Sequence, residues 1–456
     1  MNNMKDKNVL IVGMGKSGIA AMQAMVNLEA NVSVQDSKEE KDINPQLAAF
    51  LKGKNVTCYF GKQPEDMAQF DMLILSPGVP PYLPFIEEAR KNGAEITGEL
   101  EIAYRLGHGN YVAITGTNGK TTTTTLTGEI FKAAKRKTYV VGNIGVAVIG
   151  AAITASDDTW LVTEVSSFQL ETTRDFRPRV SAILNLTPDH LNRHKTMEEY
   201  GRVKAKIMEN QSEEEYVVMN YDDKLSFDLA KDAKAKIVPF SRLEQLDFGA
   251  FVKDGRIVIA DEAGTIHDIC AVSELQIPGS HNVENVLAAA AVSFFAGISA
   301  DVIGETARTF MGVEHRLEYA GQVNGVRFVN DSKGTNPDSS IKAVEAIDGG
   351  IILIAGGYDK GSDFTEFIEA FNGKVKHMML LGVTAPKIKE QAEALGFTNC
   401  VMCKDMDECV EKAYAAAEAG DTVLLSPACA SWDMYSCFEQ RGEHFKNCAH
   451  KLGANA

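Results

Sequence analysis

Two apolar runs of this sequence lead directly into glycine-rich turns, and this pairing constrains the fold more than any other feature. The first run is "KNVLIVGMGKSG", in which Gly13 to Gly18 form the turn. The second is "NYVAITGTNGKT", in which Gly116 and Gly119 precede Lys120. A strand that ends in such a turn and continues into a helix is typical of parallel α/β sheets that bind nucleotides. The sequence therefore predicts an α/β protein.

Further apolar runs repeat this strand–helix pattern along the 456 residues. Strands that end in polar residues are predicted by "ANVSVQD", "DMLILSPGVP", "TWLVTEVSS", "VSAILNLTPDH", "GIILIAGGYDKGSDF" and "DTVLLSPACAS". "GRIVIADEAGTIH" predicts a small antiparallel piece, and "SHNVENVLAAAAVSFFAG" a buried helix. At roughly 150 residues per domain the length suits three domains. We predict a Rossmann-like domain over 1–98, a central P-loop-type mononucleotide-binding domain with a mostly parallel sheet over 99–312, and a Rossmann-like domain over 313–456.

Composition and net charge disfavour some classes of binding partner. The formal net charge of −16 disfavours non-specific nucleic-acid binding. No apolar stretch reaches the ~18 residues of a membrane span. We therefore expect a cytoplasmic monomer with small-molecule ligands, without nucleic acid or membrane insertion. The eight cysteines are expected to be reduced structural thiols, because the single CxxC pair, Cys400 and Cys403, lacks further ligands at zinc spacing.

The first glycine turn matches a dinucleotide-binding fingerprint. Gly13 to Gly18 would let the backbone approach a pyrophosphate, and Asp36, at the end of the next predicted strand, could meet a ribose hydroxyl. The alternative is a tight strand–helix turn without a ligand. The pattern alone indicates a nucleotide or dinucleotide site.

The second glycine turn is shorter than the common phosphate loop, which needs a glycine six positions before the lysine. That position is Ile114. The chemical parts are nevertheless present: backbone N–H groups at a helix start, the Lys120 ammonium, and the Thr121 hydroxyl as a Mg²⁺ ligand. We predict a phosphate site here and assign Thr122 to Thr125 to the helix. The alternative is a glycine-rich turn with a surface lysine.

Polar residues at other strand ends predict a metal site and a ligand-facing surface. Glu164 and His190 each end an apolar run and could bind Mg²⁺, although either could instead cap a helix or form hydrogen bonds. In the last domain, three predicted strand ends carry polar residues, within "NDSKGTN", "GGYDKGS" and "SPACAS". Because ligands of open parallel sheets bind beyond the carboxyl ends of the strands, this face could close on a ligand.

The collective set of motifs resembles the Mur ligases. "TGTNGKTTT", "GNIG", "TEVSSFQLE", "NLTPDHLNRH", "HNVENVLAAAA", "EHRLE", "NDSKGTN", "GGYDKG" and "SPACASWDMYSCFEQRG" occur in that family's order and span almost the whole chain. The compact "GTNGK" loop is the family's usual form. The resemblance implies ATP-dependent amide-bond formation in peptidoglycan precursor synthesis. The last motif is most similar to that of the branch that adds D-glutamate to UDP-N-acetylmuramoyl-L-alanine.

The resemblance also implies roles for individual residues. Catalysis would involve Lys120, Asn143, His190 and Lys204. The UDP end of the substrate would contact Gly15, Lys16, Ser17, Asp36, Ser37, Ser76, Pro77, Gly78 and Asn143. ATP would contact Gly116, Thr117, Asn118, Gly119, Lys120, Thr121, Thr122, Asn282, Asn285, Arg316, Asp331 and Lys333. D-Glutamate would contact Thr335, Lys360, Ser431 and Phe438. Two Mg²⁺ sites would draw on Thr121, Glu164, His190 and Lys204, with Lys204 carbamylated; Lys206 lies close by, so that choice rests on the spacing from Tyr200.

Other functions remain open at this point. A sibling ligase for another amino acid, or a folylpolyglutamate-synthase-like enzyme, would share the middle domain, but "SPACASWDMYSCFEQRG" argues against both. A nicotinamide-dependent oxidoreductase built on "GMGKSG" would not explain the second phosphate loop. A nucleotide-sensing protein without enzymatic activity would not turn over ATP.

Overall fold

The computed structural model describes residues 4–43, 45–51, 53–359 and 361–454. The chain divides into two compact units. The first comprises Met1–Leu186, Thr196–Cys270 and Val286–Ala307, and the second comprises Thr187–Lys195, Ala271–Asn285 and Arg308–Ala456. Within the described ranges, none of the helices combines the length and the apolar character that crossing a membrane requires.

The N-terminal sheet belongs to the first unit. Its elements are β1 (Asn8–Val12), α1 (Lys16–Asn27), β2 (Asn31–Asp36), α2 (Pro45–Leu51), β3 (Thr57–Phe60), β4 (Met72–Leu75), α3 (Pro84–Lys91), β5 (Glu95–Gly98) and α4 (Glu99–Leu106). The strand order is β3-β2-β1-β4-β5, and every pairing is parallel. The order reverses direction beside β1, where a doubly wound sheet leaves a crevice for ligands. The first glycine turn lies at this point, and the predicted Rossmann-like fold is confirmed.

The central sheet is larger and mostly parallel. Its elements are β6 (Asn110–Thr115), α5 (Lys120–Ala133), β7 (Thr138–Gly142), α6 (Val148–Ala152), β8 (Trp160–Glu164), α7 (Ser167–Leu170), β9 (Val180–Ile183), α8 (Leu191–His194), α9 (Met197–Ala205), β10 (Tyr216–Asn220), α10 (Lys224–Phe227), β11 (Lys236–Ser241), β12 (Gly249–Lys253), β13 (Arg256–Ala260), β14 (Ile266–Ala271), α11 (Ser280–Phe295) and α12 (Ala300–Thr309). The strand order is β14-β13-β12-β11-β10-β9-β6-β8-β7. The β12–β13 pair is antiparallel. The sequence predicts the antiparallel piece one strand later, over β13 and β14, which are neighbours in the sheet.

One strand end differs from its prediction. β9 ends at Ile183, so the prediction that His190 ends this strand is wrong. The chain leaves the sheet because Asn185 turns to the glycine loop, where its side chain pairs with both the backbone N–H and the carbonyl of Asn118 at 2.8 and 3.1 Å. His190 instead precedes α8 in a left-handed conformation, with φ 54°.

The C-terminal sheet lies in the second unit. Its elements are β15 (Glu318–Val323), β16 (Val326–Asn330), α13 (Pro337–Ala346), β17 (Ile351–Gly356), α14 (Thr365–Glu369), β18 (Val375–Leu381), α15 (Ala385–Ala394), β19 (Cys400–Met402), α16 (Met406–Ala416), β20 (Thr422–Leu425) and α17 (Phe438–Lys451). The order is β15-β16-β20-β17-β18-β19, and only the β15–β16 hairpin departs from parallel pairing. Because β16, β20 and β17 are neighbours, the polar residues that follow them share one edge.

Small apolar side chains explain the buried helix α11. The run from Ala288 to Val292 has no exposed surface. Alanine allows close packing on every side of a helix, so a helix that is apolar all round is placed inside the protein. This confirms the buried helix that the sequence predicts.

Candidate functional site

A cavity of about 610 Å³ opens beside the first glycine turn. Its walls come from the ends of β1, β2 and β4 and from the segment after β7. The lining includes all nine residues that the resemblance to the Mur ligases assigns to the UDP end of a substrate: Gly15, Lys16, Ser17, Asp36, Ser37, Ser76, Pro77, Gly78 and Asn143. The structure thus brings this predicted group together, and the cavity is large enough for a nucleotide-sized ligand.

Hydrogen bonds to the backbone hold the first turn in shape. The Asp36 carboxylate accepts a bond of 2.7 Å from the N–H of Met14, and the Ser76 hydroxyl donates to the Gly13 carbonyl at 2.6 Å. Gly18 is required because a Cβ there would lie 1.9 Å from the Gly13 oxygen. Asp36 therefore shapes the turn, whether or not it also contacts a ribose.

In the second turn, the Lys120 side chain folds back onto the loop that precedes it. Gly119 has φ 81°, a left-handed conformation that favours glycine, and α5 begins at the next residue, Lys120. The Lys120 ammonium donates to the carbonyls of Gly116 and Thr117 at 2.9 and 2.6 Å. It therefore lies within reach of a phosphate bound by the N–H groups at the start of the helix.

A second lysine reaches the same loop. Lys204 is only 1% exposed, and its ammonium donates to the Gly116 carbonyl at 2.8 Å. The nitrogen also lies 4.5 Å from the centre of the Tyr200 ring. Lys206 instead donates to the backbone carbonyls of Glu171 and Thr173, at 3.1 and 2.7 Å. This geometry favours Lys204 over Lys206 as the lysine of the site.

Two residues that support the loop were not singled out in the sequence. The Tyr200 hydroxyl lies 3.3 Å from the Thr117 hydroxyl, and Asn185 brackets Asn118. In the sequence, Tyr200 marks only the spacing to Lys204, and Asn185 lies within a longer motif. Neither carries a local signal, because their partners lie on distant segments of the chain.

Glu164 has the features of a metal ligand. It ends β8 and stands opposite Ile114 of β6, immediately before the glycine loop. One carboxylate oxygen, Oε1, accepts a bond of 2.8 Å from the Asn143 amide. The other, Oε2, is buried and has no hydrogen-bond partner among the residues the structure describes. A buried carboxylate oxygen without a partner is costly unless a cation binds it, so Glu164 fits a Mg²⁺ ion. Thr121, the proposed hydroxyl ligand, lies buried in the first turn of α5.

The other predicted metal ligand, His190, belongs to the second unit. Its Nε2 lies 3.5 Å from Oδ2 of Asp189, which also accepts a long bond of 3.4 Å from the Asn336 amide. These residues line a cavity of about 310 Å³ together with acidic residues that include Asp363 and Glu366. His190 therefore lies among carboxylates, a setting that suits a cation.

Among the second-unit residues predicted to bind ATP, Asp331 is buried, whereas Arg316 and Lys333 are half-buried. The Asp331 carboxyl accepts a bond of 2.8 Å from the Ser426 hydroxyl through Oδ2, while Oδ1 is buried without a partner in the described part of the chain. Burial raises the pKa of Asp331 to about 6, although the nearby charge of Arg316 acts in the opposite direction. Arg316 donates to the Ser339 hydroxyl at 2.7 Å.

The two asparagines of α11 form a pair. Asn285 donates to the side-chain oxygen of Asn282 at 3.0 Å, and Asn282 donates to the Pro278 carbonyl at 2.6 Å. Both side chains are buried. The contact between them places both side chains on one face of the helix.

Three of the four residues predicted for D-glutamate lie on described segments after strands β16 and β20. Ser431 is 2% exposed, and its hydroxyl has no hydrogen-bond partner within those segments. The Lys333 ammonium lies 5.1 Å from the centre of the Phe438 ring, and the N–H of Thr335 donates to the Lys333 carbonyl at 2.9 Å. The fourth residue, Lys360, lies outside the described residues.

Arg441 supports this part of the second unit and was missed in the sequence. Only 1% of it is exposed, and its guanidinium donates to both the hydroxyl and the carbonyl of Ser332 and to the Cys429 carbonyl, at 2.8–3.1 Å. Ser332 in turn donates to the Phe438 carbonyl at 2.8 Å. A fully buried arginine ties together the segments that follow β16 and β20.

Three family descriptions match successive parts of the chain. A Mur ligase MurD-like N-terminal domain matches residues 7–98, a Mur ligase middle domain matches 114–293, and a Mur ligase glutamate ligase domain matches 315–429. Together they cover most of the chain.

Curated relatives are similar over nearly the full length. UDP-N-acetylmuramoylalanine–D-glutamate ligase of Alkaliphilus oremlandii is 53% identical over 453 residues, which cover 99% of both chains. Proteins of the same name from a Thermoanaerobacter species and from Clostridioides difficile are 49% and 46% identical. Those two alignments cover 98% and 99% of this chain, and 99% and 100% of the relatives.

Solved structures share the fold at low identity. The UDP-N-acetylmuramate–alanine ligase MurC of Thermotoga maritima superposes with a TM-score of 0.60 at 18% identity, covering 97% of this chain and 99% of that one. MurF of Acinetobacter baumannii gives 0.60 at 15% identity, with 98% and 91% covered. A pseudomurein peptide ligase from Methanothermus fervidus gives 0.58 at 18%, with 98% and 100% covered.

Proposed function

The chain belongs to the Mur ligase family, and from this premise we propose that it is the ATP-dependent ligase that joins D-glutamate to UDP-N-acetylmuramoyl-L-alanine. One observation carries the choice within the family: relatives with 46–53% identity over at least 98% of this chain bear that enzyme's name. The product is a precursor of peptidoglycan.

The reaction requires activation of a carboxylate. The alanyl carboxylate of the substrate attacks the γ-phosphorus of ATP, which forms an acyl phosphate and releases ADP. The amine of D-glutamate then attacks the acyl carbon, the C–O bond to phosphate breaks, and the amine proton passes to solvent. No protein nucleophile is required, so positioning and charge stabilisation account for catalysis.

The first glycine turn would hold the UDP end of the substrate. The observation in support is that all nine residues assigned to this role line one cavity. Asn143 lines the same cavity and donates to Glu164, so it would connect substrate binding with the metal site. This arrangement would lead the substrate's acyl end towards the phosphate loop.

The second glycine turn would carry the chemistry. Lys120 would stabilise the charge that develops on the transferred phosphoryl group. Mg²⁺ would lower the charge repulsion between the phosphates and the attacking carboxylate. Glu164 and Thr121 would hold one ion, and carbamylated Lys204 would support a second. The assignment of His190 to a metal ion stays a prediction. Carbamylation suits Lys204 because an unmodified ammonium is costly to bury, whereas a carbamate is an anion that can face a cation.

The residues assigned to D-glutamate lie in the second unit, apart from Lys360, which is outside the described residues. Thr335, Ser431, Phe438 and Lys360 would select D-glutamate, and the Ser431 hydroxyl, which has no hydrogen-bond partner among the described residues, supports this pocket. The assignments of Asn282, Asn285, Arg316, Asp331 and Lys333 to ATP stay predictions, as do the domain boundaries near 98 and 313. We further propose that the protein is cytoplasmic and monomeric. Light scattering on the purified protein would test the monomeric state.

Phosphate release in the presence of ATP, Mg²⁺ and UDP-N-acetylmuramoyl-L-alanine tests the proposal. A panel of D- and L-amino acids should give release with D-glutamate and little with L-glutamate, L-lysine or D-alanine. UDP-N-acetylmuramate with L-alanine serves as the matched control for a sibling ligase. A preference for that control pair, or release that does not depend on an amino acid, would overturn the assignment.

A further inference from the structure

Three side chains of different chemistry meet where α16 packs against α17. Asp407 lies in the first turn of α16, and His444 and Cys448 lie one helical turn apart on α17. One ligand atom from each residue lies within 4.8 Å of the other two. None of the three takes part in the ligase machinery proposed above.

The contacts within the cluster are direct. Nε2 of His444 lies 2.8 Å from Oδ2 of Asp407, and the Cys448 sulfur lies 3.5 Å from Oδ1 of the same carboxylate. Cys448 is only 4% exposed, while the Asp407 and His444 side chains are 45% and 34% exposed. The sulfur therefore forms the floor of the site, and the other two donors leave it open to solvent.

The donor set suits zinc. Nitrogen, sulfur and carboxylate oxygen are the three ligand types that Zn²⁺ accepts, and bonds of about 2.0–2.3 Å in a tetrahedron place ligand atoms roughly 3.3–3.8 Å apart. Small side-chain movements would close the present cluster to that geometry. The second ring nitrogen of His444, Nδ1, lies 2.9 Å from the Tyr435 hydroxyl, which is the kind of outer partner that orients a metal-binding histidine.

We propose that Asp407, His444 and Cys448 bind one Zn²⁺ ion, with water in the fourth position, and that the ion links α16 to α17. When zinc binds, the Cys448 thiol releases its proton to solvent and the thiolate sulfur bonds to the metal. The Lys451 ammonium, 3.1 Å from Oδ1 of Asp407, competes for the carboxylate. Its side chain is 68% exposed, so it can move away.

A second cluster of possible ligands is unsuited to metal binding. Glu314, His315 and Glu443 also place three ligand atoms within 4.8 Å of one another. Lys446 pairs with both Glu314 and Glu443, at 2.6 and 2.7 Å, and is only 14% exposed. A largely buried ammonium already pairs with those carboxylates, whereas Lys451 is exposed.

Titration of the reduced, metal-free full-length protein with Co²⁺, in the absence of ATP, tests the proposal. We expect one Co²⁺ per chain with a thiolate-to-metal charge-transfer band, and displacement of Co²⁺ by Zn²⁺. Cys448→Ser and His444→Ala should each weaken binding by more than about 100-fold, beyond the loss that removal of an outer partner causes. Tyr435→Phe should weaken it by about 10-fold. Lys451→Ala should tighten it, which no simple ion-pair network would do.

Cys400→Ser is the matched control, because Cys400 belongs to the CxxC pair and could bind metal separately. Binding that survives in Cys448→Ser but is lost in Cys400→Ser would overturn the proposal, as would a cobalt spectrum without thiolate character. Wild-type ligase activity in Cys448→Ser would show that the variant is folded. Added Zn²⁺ should raise the Tm of the wild-type protein and leave that of Cys448→Ser unchanged.

Discussion

The two glycine turns of the first unit begin alike and differ in what surrounds them. In both, a glycine caps a helix whose first residue is a lysine: Gly15 before Lys16 in α1, and Gly119 before Lys120 in α5. Lys16 is exposed at the mouth of a cavity of about 610 Å³, whereas Lys120 is half-buried and bonded to its own loop.

Under the proposed function, this difference would separate substrate binding from catalysis. Around the first turn, the bonds that hold the backbone come from Asp36 and Ser76, and the cavity stays open. Around the second, Lys120, Lys204 and Glu164 gather with little exposure to water. Charges act more strongly where water is excluded, so the second turn is the one suited to stabilise a transition state.

The largest expected effect is a difference in kcat between variants of Lys120 and Lys16. Lys120→Ala should lower kcat by about 100-fold or more, because the charge of Lys120 would act on the transferred phosphoryl group. The matched variant Lys16→Ala should keep kcat near wild type. Steady-state phosphate release from both purified variants checks this. Equal losses of kcat would erase the distinction between the turns.

A comparable loss is expected for the second lysine of the loop. Lys204→Ala should lose roughly 100-fold in kcat, since it would support a metal ion at the reacting phosphates. Added formate or acetate should restore part of the activity by replacing the carbamate anion. Lys206→Ala, whose ammonium bonds other carbonyls, is the control and should stay active. Native mass spectrometry should detect one added CO₂ in the wild-type protein. Full activity of Lys204→Ala would remove the residue from the mechanism.

A smaller effect is expected for the residues that would select D-glutamate, because they lie on neither glycine turn. Ser431→Ala and Lys360→Met should each raise the KM for D-glutamate by about 10- to 150-fold, the equivalent of 1.5–3 kcal/mol for a lost charge-assisted bond. The KM values for ATP and the UDP substrate should change little. Ser436→Ala, at an exposed position, serves as the control. For Lys360, a raised KM for ATP with an unchanged KM for D-glutamate would reassign the residue to phosphate binding.

The smallest effect concerns the scaffold of the first turn. Ser76→Ala removes the bond to the Gly13 carbonyl and should lower the free energy of unfolding by about 1 kcal/mol. The KM for the UDP substrate should rise several-fold while kcat stays constant. Urea unfolding together with steady-state kinetics measures both. A large fall in kcat would show that the first turn contributes to the chemical step.

The sequence predicts those structural features that depend on the local pattern of residues. Both strand–turn–helix units and the end of β2 at Asp36 follow from periodicity and glycine placement. The end of β9 does not, because Asn185 leaves the strand for a partner on another segment. Local pattern cannot reveal a contact of that kind.

The residues of the candidate sites fall into the same two groups, those that the sequence predicts and those that it does not. Residues inside motifs, such as Lys120 and Glu164, could be found in the sequence. Tyr200, Arg441 and the Asp407–His444–Cys448 cluster could not, because each acts through residues that the fold brings from elsewhere. His444 and Cys448 do show a one-turn spacing, but without Asp407 that spacing indicates only a shared helix face.

Direct binding of UDP-N-acetylmuramoyl-L-alanine to the two lysine variants tests the division of labour most directly. Isothermal titration calorimetry without ATP measures the Kd in each. We predict a wild-type Kd for Lys120→Ala and an increase of about 10-fold for Lys16→Ala, because only the first turn would contact the UDP end. Loss of binding in Lys120→Ala with an unchanged Kd in Lys16→Ala would contradict the account.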